Sequence, residues 1–96
     1  MLRGEVRISD HGWEELEADE ISVRDVVSSL DSALAVEDYP EFGKGPSVLA
    51  LHHDREGNPV HVVWGIPKGH TSPAVLVTAY RPDPERWDAS FMRRRP

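Results

Sequence analysis

The strongest constraint in this chain is a set of three apolar runs in its second half: Ser47–His53, Val60–Ile66 and Ala74–Tyr80. They are strand-length and rich in Val, Leu, Ala and aromatic residues, which suit a pleated, half-buried surface. Asp54–Pro59, carrying Gly57-Asn58, separates the first two, and Pro67–Pro73 separates the next two. Connections this short join antiparallel neighbours and leave no room for a crossover helix. The runs predict an antiparallel sheet.

The first half reads differently. Glu5–Ile8 is a short strand with Val6 and Ile8 on one face. Ser9 is placed to cap a helix, with Asp10 near its positive end. Trp13 and Leu16 form the helix's apolar stripe, Glu14, Glu15 and Glu17 face water, and Gly12 weakens it. Ser22 and Asp25 resemble a capping box for a second helix, and Ile21 and Val26 a hydrophobic staple. Val23, Val26, Val27 and Leu30 supply its buried stripe, and Asp31-Ser32 ends it. Ala33–Tyr39 is a strand stopped by Pro40, and Glu41–Pro46 is a loop. The order is β-α-α-β-β-β-β. It predicts an α+β domain over residues 1–92, with two short helices on one face of a mostly antiparallel sheet. Residues 93–96 read as a flexible basic tail.

Charge is divided unevenly. Residues 1–42 carry twelve acids against three bases, a net of −9; residues 43–96 carry five acids against eight bases, a net of +3. An acidic half is a poor match for broad phosphate-backbone binding, which needs a basic surface, but it suits a basic protein partner. The chain has no cysteine, which excludes disulfides, thiolate metal sites and a Cys nucleophile. No leader-like segment and no membrane-length apolar run is present. The expectation is a cytoplasmic protein with no membrane association and no cofactor.

Closing both hairpins symmetrically gives a register. His52 then faces His61, and His61 faces Ala79. One sheet face carries Leu49, Leu51, Val62, Trp64, Leu76 and Thr78, the larger side chains, and is expected to take the helices. The other carries Val48, Ala50, His52, His61, Val63, Val75, Val77 and Ala79. Facing histidines lie about 4.5–5.5 Å apart at Cβ, close enough for coupled titration or shared ligation. Zinc would need a third and a fourth ligand, for which His11 and His70 are the candidates although nothing in the spacing selects them; the expectation is no metal, with metal binding through the histidines kept as an open alternative to their sitting at a half-exposed sheet edge.

His61 interrupts an otherwise apolar strand, Val60-His61-Val62-Val63-Trp64, and needs a partner if buried. Tyr80, ending the next strand, is the candidate. The two form either an acid–base pair or a mutually satisfied structural pair. Arg81, Arg86 and Trp87 follow. Arg with Trp can hold phosphate and stack a base; equally, Trp87 can plug the core. Lys44 and Lys68, in loops, add positive charge to the same half. No phosphate loop, dinucleotide fingerprint, nucleophile elbow or zinc-finger spacing occurs.

Three stretches stand out together: Ile8-Ser9-Asp10-His11, Val60-His61-Val62-Val63, and Val77-Thr78-Ala79-Tyr80-Arg81-Pro82-Asp83-Pro84-Glu85-Arg86-Trp87. From Ile8 to Trp87 the chain resembles a family of small bacterial proteins known as a domain of unknown function. Its members carry a Ser-x-His start, a His-Val-Val strand and a Tyr-x-Pro-Asp-x-x-x-Trp ending. The family's element order is similar to that of RelE/BrnT-like toxins, the RNA-cleaving partners of toxin–antitoxin pairs. The resemblance implies a RelE-like fold and an endoribonuclease site. His11, His61, Tyr80 and Arg81 would be catalytic, and Lys44, His52, Lys68, Arg86 and Trp87 would bind RNA or another ligand. It also implies RNA and a cognate antitoxin as partners. The alternative is a non-enzymatic interaction module, as a homodimer or bound to a basic segment, with structural histidines.

Overall fold

The computed structural model describes residues 6–39, 46–65 and 74–96. The elements run β1 (Val6–Ile8), α1 (Asp10–Ala18), α2 (Val23–Ser28), a 3-10 turn at Leu30–Ser32, β2 (Leu34–Tyr39), β3 (Ser47–His53), β4 (Pro59–Gly65) and β5 (Ala74–Tyr80). The five strands form one sheet in the order β1-β5-β4-β3-β2. Strands β2 to β5 pair antiparallel, and β1 adds to β5 in parallel. The chain is α+β with both helices on one face, as the sequence predicts.

Ser9 ties α1 to the sheet. Its Oγ accepts from the Gly12 N–H at 2.9 Å and lies 3.1 Å from the Leu76 carbonyl, to which it donates. Gly12 is required here rather than merely tolerated: a Cβ would sit 2.7 Å from that same carbonyl. The helix-side core joins Leu16, Ile21, Val26 and Leu30 to Ala50, Val60, Val62, Trp64, Leu76 and Ala79. Two expected stripe residues stay out of it, Trp13 and Val27, both exposed. A six-residue α2 has too narrow a buried face to hold Val27 as well as Val26. The expected capping box does not form either. Ser22 makes no side-chain cap bond, and Asp25 instead accepts from Arg55 Nε at 2.9 Å.

The main correction concerns register. β3 and β4 pair with Leu51 opposite His61 and His52 opposite Val60. The expected His52–His61 pair is therefore split between the two faces of the sheet. The cause is the turn. Asp54 Oδ1 accepts from the backbone of Glu56 and Asn58, both at 2.9 Å, and the Gly57 N–H bonds the Asp54 carbonyl. With Gly57 at φ 83°, the loop closes over Asp54–Asn58, and Pro59 becomes the first residue of β4. One residue fewer in the loop turns every β3 side chain over. Leu49 and Leu51 thus lie away from the helices, while Val48, Ala50 and His52 lie beneath them. A bulge between Val63 and Trp64 and their β5 partners makes a second correction. Trp64 still faces Leu76, but His61 faces Tyr80 instead of Ala79, and Thr78 moves to the face without helices. Ile66 and the loops around Lys44 and Lys68 lie outside the described residues.

The face without helices is covered by the end of the chain. After β5, the Asp83 carbonyl accepts from the Arg86 and Trp87 N–H groups, and Asp83 Oδ1 accepts from the Glu85 N–H. This turn sends Trp87 back under the sheet, where it is 3% exposed. A small antiparallel arm follows, with Trp87 opposite Arg94 and the Arg95 N–H bonded to the Arg86 carbonyl at 2.8 Å. No helix among the described residues is long and apolar enough to cross a membrane.

Candidate functional site

An open cleft of about 250 Å³ lies where β5 runs into this arm, lined by Tyr80, Arg81, Asp83, Arg86, Trp87 and Arg94. It gathers four of the residues singled out from the sequence: Tyr80, Arg81, Arg86 and Trp87. It also brings in Arg94, from the segment read as a tail.

His61 lies directly behind this cleft, fully buried. Its Nε2 is 2.8 Å from the Phe91 carbonyl, and its Nδ1 is 3.1 Å from the Tyr80 hydroxyl. A carbonyl only accepts, so Nε2 carries the proton and Nδ1 accepts from Tyr80 O–H. Trp87 meets the imidazole edge-on at 4.5 Å between centroids. Burial lowers the His61 pKa and holds the ring neutral, and burial raises that of Tyr80. Tyr80 is thus a half-buried phenol with its hydrogen on a neutral imidazole and its oxygen at the cleft. Phe91 adopts φ 59°, an uncommon conformation for a non-glycine residue, in the arm that supplies the carbonyl on His61.

The three arginines are not equivalent. Arg81 is a clasp. Its backbone N–H donates to Asp19 Oδ2, its Nε to the Asp19 carbonyl, and its Nη1 to Asp54 Oδ2 at 3.2 Å. It locks the end of α1 and the β3–β4 turn to the end of β5. Its charge is answered by Asp54, whose own pKa is lowered by the Asn58 and Glu56 N–H groups and by Arg81. Arg94 is paired with Glu37 on β2, with Nε and Nη2 on the two carboxylate oxygens at 3.2 and 2.9 Å. That fork lowers the Glu37 pKa and raises that of Arg94. The guanidinium lies over Trp87, 4.6 Å from the ring centroid. Arg86 has no side-chain partner among the described residues. It is the cleft's uncommitted cation.

The remaining sequence candidates lie elsewhere. His11 is exposed on α1, 3.3 Å from Glu15, on the helix side of the sheet. His52 is buried in the helix-side core. Trp64 Nε1–H donates to its Nε2 at 3.0 Å, its Nδ1 is 2.8 Å from Ser29 Oγ, and Ser29 in turn donates to the Val26 carbonyl. This closed chain fixes a neutral ring, and burial lowers its pKa to about 4. Lys44 and Lys68 fall outside the described residues. No group of three or more His, Asp or Glu side chains gathers into a metal-sized cluster among the described residues. Sequence reading gave no sign of Arg94 or Glu37, because their pairing spans the sheet from β2 to the chain's end.

The model of a family described as a domain of unknown function (DUF4258) matches residues 8–81, and the chain belongs to that family. The matched stretch contains His61, Tyr80 and Arg81, while Asp83, Arg86, Trp87 and Arg94 lie beyond it. No curated protein and no solved structure matches the chain.

Proposed function

We propose that the chain is a small toxin-type endoribonuclease, similar in mode to RelE/BrnT-like proteins, acting on single-stranded RNA in the bacterial cytoplasm. The observation that carries this reading is the convergence on one open cleft of Tyr80, with His61 behind it, and Arg86, which has no side-chain partner among the described residues. Arg86 takes the phosphodiester, while Arg81 and Arg94, each paired with a carboxylate, shape the cleft more than they charge it. Tyr80 accepts the proton of a ribose 2′-hydroxyl while passing its own to His61 Nδ1. The 2′-oxygen bonds to the adjacent phosphorus, the bond from phosphorus to the 5′-oxygen breaks, and solvent protonates the leaving oxygen. The products are a 2′,3′-cyclic phosphate and a 5′-hydroxyl end. A neutral His61 held by the Phe91 carbonyl suits this relay, because the same carbonyl steadies the imidazolium that forms. The cleft is a little smaller than a drug-sized site and fits one nucleotide unit better than a duplex.

The acidic charge of residues 1–42 is consistent with a partner antitoxin presenting a basic segment to that half. Binding to RNA is expected to be local and salt-sensitive, since few phosphates are met. The test uses purified protein and single-stranded RNA at low salt. Cleavage leaving cyclic phosphate ends, weakened by Arg86→Ala, supports the reading. Intact RNA, together with normal growth on overexpression, contradicts it.

A second reading, a non-enzymatic interaction module, is favoured by the outer edge of β2, which pairs with no further strand among the described residues and where Leu34 is 53% exposed. An unpaired edge beside an apolar side chain is a place for strand addition. Glu37 and Asp38 on that edge suit a basic strand better than a second copy of β2. Light scattering with and without a basic peptide separates partner binding from homodimerisation.

A further inference from the structure

We propose that Arg94 is the stacking platform for a nucleobase whose phosphate is held by Arg86. This rests on the RNA reading of the cleft and names what the cleft recognises in a nucleotide besides its charge.

Arg94 enters the cleft already committed to a carboxylate. Its charge is answered by Glu37 through two hydrogen bonds, at 3.2 and 2.9 Å. Glu37 is itself held by the Tyr39 hydroxyl, which donates to Oε1 at 2.5 Å. Arg94 therefore adds little net charge to the cleft, and its attraction for phosphate is correspondingly reduced. What it presents is a plane. One side of the guanidinium lies over Trp87, and the carboxylate fork fixes its orientation from β2. The side chain nonetheless remains 59% exposed, which leaves its outer side open at the cleft. Trp87 cannot itself stack a base, since it is 3% exposed, with His61 against it and Arg94 over it. A base laid on Arg94 completes a Trp–Arg–base stack, and guanidinium planes are established partners for unstacked bases. Arg86 lines the same cleft, and its side-chain donors meet no partner among the described residues. Lysine in place of Arg94 keeps the charge and loses the plane.

The test is calorimetry at low salt with adenosine 5′-monophosphate and ribose 5-phosphate, which differ only in the base. The intact chain should bind the adenine nucleotide roughly tenfold more tightly, the scale of one base stack. Arg94→Lys should abolish that difference while leaving ribose 5-phosphate affinity nearly unchanged, with thermal unfolding as the control for an intact fold. Two results overturn the platform alone: an adenine advantage that survives Arg94→Lys, or no advantage in the intact chain while ribose 5-phosphate still binds through Arg86. Failure of both ligands to bind overturns the platform and the cleft reading together.

Discussion

Each face of the sheet buries one histidine, and the two are neutral for the same reason and placed for different ends. His52 sits under the helices, with every hydrogen-bonding atom engaged inside the core by Trp64 and Ser29. His61 sits under the C-terminal arm and is also fully engaged, but one of its partners, Tyr80, lines an open cleft. Burial alone does not tell the two histidines apart. What separates them is whether the partner at the far end of the hydrogen bond reaches solvent.

The largest loss of stability is expected at His52. His52→Ala opens a cavity in the helix-side core and strands the Trp64 N–H, at a cost of about 3–4 kcal/mol. Urea denaturation measures it, and a loss below about 1 kcal/mol would mean that the network is dispensable. Acid comes next. The His52 pKa lies near 6.5 in the unfolded chain and at about 4 in the folded one. The unfolded state therefore takes up the proton first as pH falls. Stability is fully present above about 6.5 and declines between about 6.5 and 4, by roughly 3 kcal/mol from this residue. His61 contributes with the same sign, since burial depresses it too. In His52→Ala the slope across that window should flatten markedly.

Smaller effects sharpen the other face. Tyr80→Phe removes the hydrogen bond to His61 Nδ1 and should cost about 1 kcal/mol of stability. Arg86→Ala should change stability by less than about 0.5 kcal/mol, as expected for an exposed side chain without a partner, yet weaken phosphate binding in the cleft. A thermal melt beside a titration with ribose 5-phosphate separates the two consequences.

The α+β class, the element order and the helices on one face were legible, because strand-like and helix-like patterns occupy separate stretches of the chain. Ser9 as a cap and the Trp64–Leu76 register were legible for the same local reasons. The face of β3 was not. It depended on whether Pro59 belonged to the turn or to the strand, and the Asp54 carboxylate decided that by closing the loop one residue early. The His61–Tyr80 contact does not depend on that turn: a bulge in β5 brings the two residues opposite each other. Of the cleft, Tyr80, Arg81, Arg86 and Trp87 were visible as neighbours in sequence. Arg94 was not, since its place depends on Glu37, a residue 57 positions away.

If Tyr80, with His61 behind it, is the working end of the molecule, the cleavage rate of Tyr80→Phe on single-stranded RNA must show it. The ring and the fold are retained, and only the hydroxyl that links cleft to imidazole is lost. The account predicts a fall of about 100-fold or more, the usual weight of a positioned acid–base group, with RNA affinity unchanged. Cleavage at the rate of the unaltered chain would contradict it and leave His61 as structural as His52.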